Sequence, residues 1–143
     1  MTWRIGEILI QKKLISWDQL NDVLEEQQRT RELTGEILIR KGYISRPLLY
    51  RTLAEQHGLA FLDLDRVHIN PGAVEKIPKS IAVKFNILPL DLVEEILILG
   101  ISNPVQSLPT KELMELAGAK TVRLALCLPD DIRRSIAKYY KEE

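Results

Sequence analysis

The feature that most constrains this chain is an internal repeat between Arg4 and Gln56. The run Arg4-Ile5-Gly6-Glu7-Ile8-Leu9-Ile10, continued by Ile15-Ser16, Leu20, Leu24 and Glu26-Gln27, has a counterpart. It is answered by Leu33-Thr34-Gly35-Glu36-Ile37-Leu38-Ile39, continued by Ile44-Ser45, Leu49, Leu53 and Glu55-Gln56. Each position lies 29 residues from its partner, and about half of the 24 aligned positions are identical without a gap, Lys12 and Lys41 among them. Two unrelated helices sharing only an apolar rhythm would not reproduce polar positions as well, so the two stretches are copies of one structural unit.

Within the first copy, Ile5, Ile8 and Leu9 recur at helical spacing, and the run ends near Lys12-Lys13, where basic side chains suit a helix C-terminus. Ser16 followed three residues later by Gln19 is a capping-box pattern, and Leu20, Leu24 and Gln27 then fall along one face of a second helix. The two helices are expected to form an antiparallel hairpin, which would set Arg4 beside Gln27. In the second copy Gly42 ends the first helix, Ser45 caps the second, and Pro47 lies in a first turn where a missing N–H costs little. Gly58 serves as C-cap. Two matched hairpins can pack about a pseudo-twofold axis.

Past Gly58 the pattern changes. Leu59 to Leu64 reads as a short strand, Asn70-Pro71-Gly72 as a turn into a helix over Ala73 to Ile77, and Ser80 to Phe85 as a further helical turn. Ile87 to Leu92 and Ile96 to Ile101 read as strands joined around Val93-Glu94-Glu95. Lys111 to Ala117 is helical and stopped by Gly118, and Thr121 to Leu128 alternates as a strand. Pro129-Asp130-Asp131 opens a last helix with Ile132 and Ile136 on its apolar stripe. The expected fold class is α+β, with a tandem helical-hairpin subdomain over residues 1–58 followed by a small mixed α/β subdomain over residues 59–143.

At 143 residues, 45% hydrophobic and 28% charged, the chain can bury a core of ordinary globular size. Twenty basic residues balance twenty acidic ones, and neither half is basic, so no field exists to hold DNA or RNA. Cys127 is the only cysteine, which rules out an intrachain disulfide and a thiolate metal site. No charged segment leads into a long apolar run with a cleavage site, and Ile96 to Ile101 is too short to span a bilayer. A cytoplasmic protein without direct membrane insertion is expected. Met1 reads as a native start.

The repeated Ile8-Leu9-Ile10 and Ile37-Leu38-Ile39 clusters, with Leu20, Leu24, Leu49 and Leu53, are core by their spacing. Arg4 would by itself be a surface side chain, but a guanidinium is also a rigid donor fork suited to a bidentate polar partner. Gln27 is either a solvated amide or, in register with Leu20 and Leu24, a polar group on the face that packs, able both to donate and to accept. Gly6 and Gly35 sit near helix starts, where glycine costs stability. Either a ligand approaching the backbone or tight packing of one helix on its neighbour would explain them. His57 and His68 have no metal-ligand spacing, Ser16 and Ser45 are caps rather than nucleophiles, and no G-x-x-x-x-G-K-[ST] phosphate loop occurs. No catalytic constellation, metal or cofactor is expected, and the chain reads as a non-enzyme.

The tandem motif resembles that of the MshEN domain of type II secretion and type IV pilus assembly ATPases, in which two 24-residue motifs flank a five-residue spacer. Here the spacer is Gln28 to Glu32, Arg4-Ile5-Gly6 stands at the Arg-Leu-Gly opening, and Gln27 stands at the closing glutamine. Leu59 to Leu64, the Asn70-Pro71 turn, Ile87-Leu88-Pro89-Leu90 and the Asn103-Pro104 turn also look like the second subdomain of such proteins. The resemblance implies a regulatory module binding cyclic di-GMP, itself a twofold-symmetric molecule. The residues it implies for the ligand are Arg4, Ile5, Gly6, Leu9, Leu20, Leu24, Gln27, Leu33, Gly35, Glu36, Leu38, Leu49, Leu53, Gln56 and Asn103. Two positions depart from the family pattern: Leu33 where the second motif usually opens with a basic residue, and Asn103 where an Asp-Pro turn is common. The alternative is a docking adapter of the secretion or pilus machinery with weak or lost nucleotide binding. Either reading implies cytoplasmic components of a secretion or pilus platform as partners, and a place peripheral to the inner membrane through them.

Overall fold

The computed structural model describes residues 5–140. Arg4 lies outside the described residues. The chain divides into two compact units, Met1–Gln56 and His57–Glu143.

The first unit is helical. α1 (Ile5–Gln11) and α2 (Trp17–Thr30) form the first copy of the repeat, and α3 (Thr34–Arg40) and α4 (Arg46–Gln56) the second. The capping box is complete: Ser16 Oγ accepts from Gln19 N–H at 3.1 Å and the Gln19 side chain accepts from Ser16 N–H at 2.9 Å. Ser45 Oγ accepts from Leu48 N–H at 3.3 Å, so both copies start their second helix on the same serine. The first helices end through left-handed residues in register, Lys13 at φ 61° and Gly42 at φ 78°. The spacer is more ordered than its polarity suggests. α2 continues through Thr30, whose hydroxyl donates to Glu26 O, and terminates on left-handed Arg31, whose N–H bonds Gln27 O. Glu32 is tied to Arg40 at 3.0 Å.

The helix packing differs from the expected pair of self-contained hairpins. α1 packs mainly on α4 and α2 mainly on α3, with α1 and α3 meeting between them. Exchanging the two copies turns the α1–α4 contact into the α3–α2 contact, so the arrangement has the expected pseudo-twofold relation, but its broad contacts cross from one copy to the other. Within a copy the helices meet at a close approach. A Cβ on Gly6 would lie 2.7 Å from Leu20 Cδ1, and one on Gly35 would lie 2.9 Å from Leu49 Cδ2. Leu9, Val23, Ile37 and Leu38 are completely buried at the centre of this unit.

The second unit holds a four-stranded mixed sheet in the order β1-β4-β3-β2, with β1 Ala60–Phe61, β2 Ile87–Val93, β3 Ile96–Ile101 and β4 Thr121–Leu126. β2 and β3 form the expected antiparallel hairpin, with an irregularity between Pro89 and Asp91, while β4 runs parallel to both β3 and β1. The Leu59 to Leu64 strand shrinks to two paired residues. Ala60 and Phe61 face Ala125 and Leu126 at the C-terminal end of β4, and Asp63 then turns the chain by accepting from Asp65 N–H. α5 (Pro71–Val74) starts two residues earlier than expected because Asn70 Oδ1 caps it through Gly72 N–H at 2.9 Å. α6 (Lys79–Phe85), α7 (Thr110–Ala117) and α8 (Pro129–Tyr139) complete the order.

α7 makes the crossover between parallel β3 and β4, and α5, α6 and α8 pack on β2. Leu88 and Leu90 join Val74, Ala82, Ile132 and Ile136 in one core cluster, with Ile98 against it. Strand alternation sends Leu97, Leu99 and Ile101 to the opposite face, where they are buried. Cys127, just past β4, is fully buried, and desolvation pushes its thiol up to about 12.

Candidate functional site

A hollow of about 520 Å³ opens in the helical unit. Its lining is the repeat written twice. Ile5 and Thr34, Gly6 and Gly35, Glu7 and Glu36, Leu20 and Leu49, and Leu24 and Leu53 all contribute, five pairs each separated by 29 residues. Gln27, Leu33 and Tyr50 complete it. The volume lies in the range of small-molecule sites, and a largely aliphatic lining with a few polar groups at defined points is the usual character of such sites.

The placement of each side chain follows from the crossed packing. α1 and α3 present their first turns, so the glycines and glutamates at equivalent positions of both helices reach the same space. α2 and α4 contribute leucines four residues apart, Leu20 with Leu24 and Leu49 with Leu53, which stack along one helix face. The two glycines serve packing first, since Leu20 and Leu49 occupy the space a side chain would need, and they bring backbone to the lining as a result.

Of the residues implied for a ligand, Ile5, Gly6, Leu20, Leu24, Gln27, Leu33, Gly35, Glu36, Leu49 and Leu53 come together here. Leu9 and Leu38 do not. Both are fully buried in the core one helical turn beyond Ile5 and Thr34, beneath the first-turn residues that form the lining. Gln56 ends α4 and is not part of the lining. Asn103 belongs to the second unit, where its Oδ1 accepts from Val105 N–H at 3.1 Å in a local turn. Glu7, Thr34 and Tyr50 line the hollow without having been expected. The 29-residue register could have found the first two, since their partners Glu36 and Ile5 were both named. Tyr50 pairs with Asn21 in that register, so the repeat carried no signal for it.

The electrostatics of the two halves are unequal. In the second copy Glu36 accepts from both terminal nitrogens of Arg46, at 3.0 and 3.2 Å, a bidentate pair at the first residue of α4. The register partner of Arg46 is Trp17, which is 62% exposed and brings no charge to Glu7. Leu33 is 73% exposed at the lip.

A separate polar cluster braces α2 against α3. The Tyr43 hydroxyl and the Lys41 ammonium both donate to Asp22, holding its carboxyl below the ordinary value, and Arg40 does the same for Glu26. Among the described residues, no group of three or more His, Cys, Asp and Glu is placed to hold a metal ion, and no helix is long and apolar enough to cross a membrane.

Comparison with known proteins gives the hollow a context. The chain is 29% identical over all of its length to the type IV pilus assembly ATPase PilB of Myxococcus xanthus, and 30% identical over 98% of its length to PilB of Thermus thermophilus. It spans only 25% and 15% of those two relatives. A solved structure of MshE with cdg superposes with a TM-score of 0.84 at 25% identity, covering 96% of this chain and 99% of that one. The family model for the MshEN domain matches residues 57–143, so the part recognised by that model is the mixed α/β unit, and the repeats precede it. On the match over more than half its length, the chain belongs to the MshEN domain family.

Proposed function

We propose that this chain is a regulatory module that binds cyclic di-GMP and passes the bound state to an attached ATPase or to partners of a pilus or secretion platform. The observation that carries this reading is the lining of the hollow by five residue pairs in a single 29-residue register. A site duplicated in this way suits a ligand that is itself duplicated, with two guanines and two phosphates. Leu20, Leu24, Leu49 and Leu53 offer apolar surface to the guanine faces, and the Gln27 amide can donate to and accept from a guanine edge. The likeness to MshE with cdg, cyclic di-GMP, supports the same ligand. The role is binding rather than catalysis, and the setting is the cytoplasm, peripheral to the inner membrane through partners.

Calorimetric titration of the chain with cyclic di-GMP, with GTP as control, tests this. Saturable binding of the cyclic dinucleotide alone is expected. Gln27→Ala should weaken it about tenfold or more, the loss associated with one hydrogen bond to a charged or buried partner. A second reading, a docking adapter without nucleotide, is favoured by one observation: exposed Leu33 puts an apolar group at the lip of the second half. Absence of binding, together with retention of platform proteins in a pull-down, would decide for it.

A further inference from the structure

The hollow has a charge problem that the first-turn residues do not solve. Glu7 and Glu36 both line it, and none of its described lining residues is basic. A dianionic ligand entering beside two carboxylates would be repelled unless cations stand close by. In the first copy, the motif opens with Arg4. In the second, the equivalent position is Leu33, which has no charge and no hydrogen-bonding group.

Arg46 is not itself part of the lining, but it adjoins the same space through one lining residue. Its guanidinium makes a two-point contact with Glu36, itself a lining residue, and its side chain remains 35% exposed. Its register partner is Trp17. The first copy therefore carries arginine at the motif opening and tryptophan at the start of the second helix. The second copy carries leucine at the opening and arginine at the start of the second helix. The basic group has changed position within the motif rather than disappeared.

We propose that Arg46 is the ligand-contacting cation of the second half-site, replacing the basic group that Leu33 lacks; this rests on the cyclic di-GMP reading. Held by Glu36 in the free chain, the guanidinium turns to a phosphate or a guanine edge of the bound ligand, both of which fit its donor fork. Partial exposure leaves it able to exchange partners without crossing the core. The second half-site is then a working one, with a cation that the free chain stores on a carboxylate.

The test compares cyclic di-GMP affinity of the natural chain with three variants, each checked for an unchanged thermal melt. Arg46→Ala should lose roughly ten- to hundredfold in affinity, as expected for a charge-assisted contact. Glu36→Gln removes the lining carboxylate that competes with an anionic ligand for this guanidinium and should raise affinity several-fold. Arg46→Ala with Leu33→Arg should regain much of the loss. No binding by the natural chain overturns the receptor reading and this proposal together. Binding by the natural chain that Arg46→Ala leaves unchanged overturns the proposal alone. A Glu36→Gln loss as large as that of Arg46→Ala would also overturn it, because Arg46 would then act only by positioning Glu36.

Discussion

Lys12 of the first copy and Glu55 of the second form an ion pair at 2.6 Å, and their register partners Lys41 and Glu26 approach to 4.0 Å. The same two identities of the repeat thus make the same contact twice, each time from one copy to the other. This matches the packing of α1 on α4 and of α2 on α3. It also accounts for polar identities that a helical rhythm alone would not require. The second contact is the looser because Lys41 is drawn to Asp22, at 3.0 Å, a residue that has Arg51 as its counterpart.

The α2–α3 brace should make the helical unit sensitive at both ends of the pH scale. Tyr43 and Lys41 hold Asp22 below its ordinary 3.8, and Arg40 holds Glu26 below its ordinary 4.5. An unfolded chain binds protons first at these carboxylates, so their contribution is full above the ordinary values and is lost as pH falls through the depressed ones. Tyr43 is raised above 10.0 and Lys41 above 10.5, chiefly by their bonds to Asp22, so that contribution is full below the ordinary values and is lost as pH rises through the raised ones. Thermal melts across both limbs check this. Asp22→Asn should flatten both, and limbs unchanged by that substitution would contradict the assignment.

Lys13 and Gly42 offer a comparison internal to one molecule. Both end a first helix in the left-handed region, at φ 61° and 78°, but only one is glycine. An L-residue there costs roughly 1–2 kcal/mol, partly offset because glycine loses more freedom on folding. Lys13→Gly should therefore stabilise by about 0.5–1 kcal/mol and Gly42→Ala should destabilise by a similar amount, read from urea midpoints. A stabilising Gly42→Ala would show that the turn does not hold this conformation.

Gly6→Ala and Gly35→Ala test the close approach that frames the hollow. The added methyl groups would stand 2.7 Å and 2.9 Å from leucine methyls, so Leu20 or Leu49 must turn aside. Such overpacking costs about 1–3 kcal/mol. Both leucines also line the hollow, so each variant should lose affinity for cyclic di-GMP even at temperatures where it is fully folded. Full affinity in a folded Gly35→Ala chain would separate the glycine from the site.

The β2–β3 turn is strained by its sequence. Glu94 and Glu95 both have positive φ, 49° and 68°, the signature of a tight turn usually made by Asn-Gly. Replacing the pair with Asn-Gly should raise the stability of the mixed α/β unit by about 1 kcal/mol or more. Lys120 bonds Glu95 at 3.2 Å through an exposed pair, too weak to outweigh the backbone term. A lowered melting temperature would count against the turn geometry.

What could be read from the residues was mostly local. Ser16 and Gln19 announce their capping box because donor and acceptor are three residues apart, and the hairpin around Glu94 is bracketed by apolar runs. The repeat itself announced a duplicated unit. It did not reveal which helices would pack on which, because a 29-residue spacing is equally compatible with contacts inside a copy and across copies. The same ambiguity hid the difference between Leu9 and Leu20. Both are apolar and repeated, yet one is sealed in the core and the other lines the hollow. Arg46 gave no signal because its register partner is tryptophan, and its role depends on a Glu36 contact ten residues away in the chain.

Cys127 turns the second unit into its own stopwatch. The chain has a single thiol, wholly covered, and burial keeps it protonated far above neutral pH, so an alkylating reagent can react only when the covering structure opens. Each labelled molecule is then one recorded opening event around Cys127 in the second unit, taken without any engineered probe. Run with and without cyclic di-GMP, the labelling clock reads how far a ligand held by one unit is felt by the other.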